Sequence, residues 1–162
     1  MLRLLERASG IANRALAWFA GLALLAMMLF TVTDVAKRTL GRPVAGSFEV
    51  IGWLSASAMS LAVGYAQLHR SHVAMTLLSM RLRGRAAAWV EALTSLLSLG
   101  LFVAVAWYVA GYAQVLQATG SLSETLKAIV YPWVYVVALG FTGLVLALLL
   151  DAASSLRRAL GD

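Results

Sequence analysis

The sequence predicts an all-α integral membrane protein with four transmembrane helices, and three observations support this fold class. Of the 162 residues, 62% are hydrophobic and only 12% are charged, whereas soluble domains carry about 25% charged residues. The mean hydropathy is +0.85. The charged residues also leave four uncharged runs, each long enough to cross a bilayer, which takes roughly 17–25 residues. We therefore treat residues 1–162 as a single membrane domain.

The uncharged runs set the boundaries of the predicted spans. The first run lacks a small-residue cleavage motif and is longer than the roughly 7–15 residues of a secretory signal, so we expect it to be retained. In the third run, Gly120 and Ser121 are expected to end the helix before the charge-free stretch ends. The predicted spans are 15–33, 50–68, 92–118 and 128–150.

The distribution of Lys and Arg predicts the orientation. Nine of these residues lie in the amino-terminal tail, the connection after span two and the carboxyl-terminal tail, against four on the opposite side. Basic residues accumulate on the cytoplasmic side of membrane proteins. Both termini are therefore predicted to be cytoplasmic.

The connection between spans two and three begins at a polar corner and continues as an amphipathic segment. Residues 73–84 are too short to span a bilayer and combine apolar with basic residues, which predicts a helix lying in the plane of the membrane surface. Anionic lipid headgroups are the expected contacts of the basic residues. The candidate residues for this cytoplasmic lipid interface are His69, His72, Arg81, Arg83 and Arg85.

The connection between spans one and two predicts a structured turn. Asp34 and Arg38 are four residues apart and can form an ion pair on a helix. Ser47 is expected to cap the second helix, and Glu49 falls in its first turn, where the helix dipole favours negative charge. These roles account for the turn, and a partner-binding role would be additional. The candidate docking or loop-structuring residues are Asp34, Arg38, Arg42, Pro43 and Glu49.

Span two carries small residues at every fourth position, namely Gly52, Ala56, Ser60 and Gly64. Small side chains at this spacing allow close helix packing in lipid. The sequence leaves open whether this face meets another helix of the chain or a helix of a partner.

Several function classes are disfavoured. The chain has no cysteine and only two histidines, both at one helix end, so we expect no metal site, haem or other cofactor. The serines within the spans have no nearby base, which argues against an enzyme. No span has an ionisable residue near its middle, where transporters usually keep one, so a complete transport pathway is not expected. We expect the excess of basic residues to interact with anionic lipid headgroups, and we expect no nucleic-acid partner.

With this organisation, the chain resembles the small membrane subunit of the tripartite ATP-independent periplasmic (TRAP) transporters, the DctQ-like family, over about residues 15–150. One feature is the in-plane segment. The others are Asp34, Arg38, Gly41-Arg42-Pro43 and Glu49; Gly64-Tyr65-Ala66, His69 and His72-Val73; and Gly120, Ser123, Thr125-Leu126 and Pro132-Trp133. The chain departs from the family pattern at Ala74, Thr76 and Ser121, where relatives often have charged residues.

The resemblance implies a non-catalytic scaffold subunit in the inner membrane of a bacterium. Its implied partners are a large multi-span permease subunit, which holds the substrate and sodium sites, and a periplasmic solute-binding protein, which delivers an anionic solute, often a carboxylate. The small subunit is then expected to support the permease and to help dock the binding protein. The alternatives are a self-sufficient, homo-oligomeric four-helix transporter or channel, and a membrane anchor for a redox enzyme.

Overall fold

Four long helices form the described part of the fold. The computed structural model describes residues 2–69 and 85–160. In these ranges the helices are α1 (Leu2–Thr39), α2 (Ser47–Leu68), α3 (Arg85–Thr119) and α4 (Tyr131–Leu160). Each contains a stretch that is long and apolar enough to cross a membrane, and the described residues form no strand beyond one isolated bridge. The predicted all-α fold is confirmed for the described residues, and the four predicted spans are confirmed as helices of sufficient length and hydropathy to cross a membrane.

The helices extend beyond the uncharged runs from which the spans were predicted. The first span was placed at 15–33, yet α1 begins at Leu2 and ends at Thr39. The fourth was placed at 128–150, whereas α4 begins at Tyr131 and continues to Leu160. Charged residues mark where a chain leaves the apolar part of a bilayer, but a helix continues as long as its backbone hydrogen bonds do. The predicted in-plane helix at 73–84 lies outside the described residues.

The helices α2 and α4 form the centre of the bundle. They run parallel, since Trp53 stacks on Trp133 near their starts at 5.7 Å, and Gln67 bonds Asp151 towards their ends. The helix α1 packs on α2 and, less extensively, on α4, while α3 packs mainly on α4. A third of the most apolar stretch of α2 and of α4 is buried, against 6% in α1 and 11% in α3. Most of the surface of α1 and α3 therefore faces outward.

Small side chains dominate the buried part of the bundle. In lipid there is no hydrophobic force between helices, so close backbone approach has to supply the packing energy. The closest approach of one backbone to another that the structure describes is at Gly140 of α4, where an added Cβ would overlap the backbone of Ser60 and come within 2.7 Å of the amide nitrogen of Leu61. The buried apolar residues are Ala20, Ala58, Leu61, Ala92, Ala113, Ala138, Leu144, Ala147, Leu148 and Ala152.

Two helices end at one side of the bundle with the same glycine geometry. Gly41 and Gly120 follow α1 and α3 with φ of 72° and 62°. After α1, the amide of Gly41 donates to the carbonyl of Arg38 and that of Arg42 to the carbonyl of Lys37. Gly120 and the residue after it repeat this pair of bonds. This is the Schellman arrangement, which requires a left-handed residue and so favours glycine.

Candidate functional site

The side of the bundle where α1 and α3 end is here named the two-loop end. It consists of the α1–α2 turn, residues 40–46, and the α3–α4 loop, residues 120–130. The opposite side, where α1 begins and α4 ends, is the terminal end. The sequence-predicted docking or loop-structuring residues all lie at or beside the two-loop end.

Asp34 organises the α1–α2 turn. Its side chain is 7% exposed, and one carboxylate oxygen accepts a hydrogen bond of 2.9 Å from the Arg38 guanidinium. The other oxygen accepts a bond of 3.2 Å from the amide of Val44. The ion pair expected from the spacing of four residues is present, and it also fixes the chain ten residues ahead. Arg38 is exposed and lies 5.8 Å from the centre of the Phe48 ring, within cation–π range.

Glu49 joins the two loops. Its carboxylate oxygens accept hydrogen bonds from the amides of Thr125, at 2.7 Å, and Leu126, at 3.1 Å. Glu49 lies in the first turn of α2, as expected, but its partners are 76 and 77 residues away along the chain. The carboxylate thus ties the α3–α4 loop to the start of α2.

Close packing at Gly46 strengthens this junction. Gly46 has φ 73° and caps α2 without a side-chain bond, and an added Cβ would collide with the Leu126 side chain. The expectation that Ser47 caps α2 is wrong, because Ser47 is the first helical residue and is buried. The cap position needs both a left-handed backbone and room for Leu126, and only glycine provides both.

The α3–α4 loop also holds its own shape. The amide of Ser123 donates to the carbonyl of Ala128 at 2.9 Å, and the Ser123 hydroxyl accepts a bond of 3.2 Å from the Ala128 amide. Leu122 and Ile129 form the isolated antiparallel bridge. Lys127 reverses the chain with φ 52°. The loop is therefore a small hairpin that presents Glu124 and Lys127 to the surface.

The exposed charges of the two-loop end are mainly basic. Asp34 and Glu49 use their carboxylates on the chain itself, as described above. Glu124 is exposed, and it forms no salt bridge with a side chain in the described part of the chain. The exposed basic residues are Lys37, Arg38, Arg42 and Lys127, and Pro43 is also exposed in the turn.

The predicted small-residue face divides into two halves. Ser60 and Gly64 are buried, and an added Cβ on Gly64 would lie 2.9 Å from backbone atoms of Gly143 and Leu144. By contrast, Gly52 and Ala56 are exposed, and an added Cβ on Gly52 would have nothing within 4 Å. The half nearer the terminal end packs inside the chain, and the half nearer the two-loop end is open.

Asn13 is a buried polar residue that sequence reasoning missed. It is 0% exposed, and its side-chain amide donates to the carbonyl of Gly143 at 3.1 Å as well as to two oxygens of Ser9. Its oxygen has no hydrogen-bond partner in the described part of the chain. Added Cβ atoms on Gly64 and Gly143 would contact this oxygen, so the two glycines provide the space that it occupies.

The terminal end contains one of the two histidines and a hydrogen bond between the central helices. The Gln67 amide donates to the Asp151 carboxylate at 2.7 Å. His69 follows α2, and its Nδ1 lies 3.0 Å from the carbonyl oxygen of Tyr65. Arg85 begins α3. The other candidates for the cytoplasmic lipid interface, His72, Arg81 and Arg83, lie outside the described residues.

No grouping of three metal-ligating side chains occurs among residues 2–69 and 85–160. The features described above are those of helix packing and loop anchoring. They leave two exposed surfaces on the described part of the chain, the basic two-loop end and the open half of the small-residue face.

Comparisons with known proteins give one informative result. The protein family described as "Tripartite ATP-independent periplasmic transporters, DctQ component" matches residues 27–158. Neither the curated proteins nor the solved structures include a significant match. The matched region begins within α1 and ends within α4, so it contains the two-loop end and the whole small-residue face.

Proposed function

Because the chain belongs to the DctQ-component family of tripartite ATP-independent periplasmic transporters and is thus the small component of such a transporter, we propose that it acts as a non-catalytic scaffold. In this proposal it supports the large permease subunit of a sodium-coupled importer of anionic solutes such as carboxylates. It lies in the bacterial inner membrane with both termini in the cytoplasm, and its two-loop end helps dock the periplasmic binding protein.

The polar side chains between the helices bind other groups of the same chain, and this supports a scaffold role. The side chains of Asn13 and of the Gln67–Asp151 pair link helices of this chain to one another. The middle of each span is free of charged residues. Substrate or ion pathways in membranes are usually marked by intramembrane ionisable groups. The family match carries the proposal, and this division of roles agrees with it.

Reconstitution tests the proposed function directly. Proteoliposomes that contain this chain, the large subunit and the binding protein should take up solute when a sodium gradient is applied. Liposomes with this chain alone should give no flux. Uptake by the isolated chain would contradict the scaffold role and would favour the self-sufficient, homo-oligomeric transporter.

We assign the contact with the large subunit to the open half of the small-residue face. Gly52 and Ala56 leave space that a partner helix can enter closely. Gly52→Leu fills this space, and its Cβ meets no atom of another described element within 4 Å, so it should abolish co-purification of the large subunit. Gly100→Leu is the matched control, because Gly100 of α3 is equally open. Loss of the partner in the Gly100 variant alone would move the interface to α3.

We assign docking of the binding protein to the exposed cations of the two-loop end. Complementary charge speeds and orients such encounters, so the partner surface should be acidic. Arg38 and Glu49 are poor test residues because both make contacts within the chain. Arg42→Glu with Lys127→Glu should weaken binding of the purified binding protein to the assembled complex. Arg157→Glu, at the terminal end, should leave binding intact, and equal losses in both variants would refute the assignment.

The proposed orientation is accessible to labelling because the chain contains no cysteine. Cysteine introduced at Arg42 should react with a membrane-impermeant maleimide in intact spheroplasts. Cysteine introduced at Arg157 should react only after the membrane is opened. The reverse pattern would place the two-loop end in the cytoplasm and would exclude it as a docking surface.

A further inference from the structure

We propose that a groove between α1 and α2 at the terminal end binds the headgroup of an anionic phospholipid. The groove has a volume of about 580 Å³ and lies between the first turns of α1 and the last turns of α2. This site is separate from the proposed contacts with the permease and the binding protein. Its lining residues are Arg7, Gly10, Ile11, Arg14, Tyr65, Leu68 and His69.

Two arginines give the groove its charge. Arg7 and Arg14 are seven residues apart, two turns along the same side of α1, and both are exposed. Gly10 lies between them, and an added Cβ there would meet nothing within 4 Å, so the floor of the groove is open. The salt bridge at the two-loop end is the only one among the described side chains, so neither guanidinium group is paired with a described carboxylate. Guanidinium groups bind phosphate oxygens with paired hydrogen bonds.

Residues of α2 complete a polar wall opposite the arginines. The Tyr65 and His69 rings lie 4.1 Å apart at their centres. The His69 Nδ1 lies 3.0 Å from the Tyr65 carbonyl oxygen, and this contact orients the ring within the groove lining. Leu68 adds an apolar patch beside this pair. One groove thus combines phosphate-binding side chains with apolar walls.

The position of the groove along α1 favours a lipid over a free anion. The uncharged run of span one begins directly after Arg14, so the arginines lie at the level where headgroups meet the apolar layer. Ile11, in the groove wall, is 73% exposed, and Trp18, one turn beyond Arg14, is 72% exposed. These side chains continue the groove as an outward apolar surface that acyl chains can cover. A soluble anion has no acyl chains and would leave this apolar surface uncovered.

Native mass spectrometry of the purified full chain tests the site, with dioleoylphosphatidylglycerol as the probe. We expect stronger binding than for dioleoylphosphatidylcholine, which has the same acyl chains and no net charge. Each basic residue at a membrane surface contributes about a fivefold gain in affinity for anionic lipid. Arg7→Gln with Arg14→Gln should therefore weaken binding about 25-fold. Arg157→Gln, which removes an exposed arginine of α4 at the same end, should have little effect.

A second variant tests the shape of the groove without changing charge. Gly10→Trp fills the open floor and should block phosphatidylglycerol while leaving helical content unchanged. Unaltered binding in this variant would overturn the site. So would an equal loss in the Arg157 variant, equal binding of phosphatidylcholine, or displacement of the lipid by millimolar inorganic phosphate, which would indicate a free-phosphate site. These measurements use the isolated chain, so their result is independent of any transport function.

Discussion

The contact between α2 and α4 at Gly140 makes a sharp prediction about stability. An added Cβ at this position would overlap the carbonyl group of Ser60 and lie 2.7 Å from the Leu61 amide nitrogen. These atoms belong to the backbone of α2, so no side-chain rotation can relieve the overlap. Gly140→Ala must therefore push the two central helices apart or fail to pack.

The size of the effect follows from the distances. Ordinary van der Waals contact begins at about 3.4 Å, so the contact with the Leu61 nitrogen alone requires the helices to separate by about 0.7 Å, and the closer overlap with the Ser60 carbonyl group requires more. Forcing an extra methyl group into a packed core costs about 1–3 kcal/mol. Backbone atoms yield least, so we expect the upper part of this range, about 2–3 kcal/mol. Alanine has a higher helix propensity than glycine by about 1 kcal/mol, so the loss has to be measured against a control.

Gly52→Ala is the matched control, since it makes the same chemical change in an open part of α2. Unfolding of both variants in mixed micelles, titrated with sodium dodecyl sulfate and followed by tryptophan fluorescence, gives their relative free energies. Gly143→Ala should fall between them, because the Leu16 methyl group that it would contact at 2.6 Å belongs to a flexible side chain. Equal stability of the Gly140 and Gly52 variants would refute the close approach of α2 and α4.

Three further predictions concern the polar contacts. Glu49→Ala should speed hydrogen exchange at the two loop amides that its carboxylate binds, while Glu124→Ala, an exposed neighbour, should leave them protected. Asp34→Ala should likewise expose the amide that it binds in the α1–α2 turn, whereas Asp34→Asn keeps an acceptor and should protect that amide more. Asn13→Ala should destabilise the bundle by about 1 kcal/mol, the order measured for interhelical bonds in lipid. The double variant Asn13→Ala with Gly64→Ala should lose less unfolding free energy than the two single variants lose in total. The reason is that the Asn13 oxygen, which would collide with the new methyl group, is absent from the double variant. Strictly additive losses in micelle unfolding would contradict this expectation.

The sequence was informative about local spacing and less so about distant contacts. Uncharged runs predicted four spanning helices, and a spacing of four predicted the bond between Asp34 and Arg38, because both features depend on neighbours in the chain. The partner of Glu49 could not be predicted, since a loop 76 residues away supplies it. The role of Gly46 as the cap of α2 could not be predicted for the same reason, because it depends on the packing of Leu126, which is also distant in the sequence.

Asn13 was missed for a different reason, although a signal for it exists. The predicted span began at residue 15, where the charges end, so Asn13 was treated as part of a tail. Yet Ser9, Asn13, Ala20 and Asp34 are the buried residues in the described part of α1, and their successive spacings of four, seven and fourteen place them on one helix face. A search for small and polar residues at helical spacing, continued across the charged boundary, would have found this face.

Helix geometry explains why one stripe of small residues on α2 has two environments. An α-helix turns 100° per residue, so each step of four residues advances the stripe by about 40° around the axis. Over the three steps from Gly52 to Gly64 the stripe therefore rotates by about 120°. The end that carries Ser60 and Gly64 faces α4, and the end that carries Gly52 and Ala56 is turned away from it and open. A single helix can thus bind its own bundle with one half of the stripe and a partner helix with the other, which is the geometry that the proposed scaffold requires.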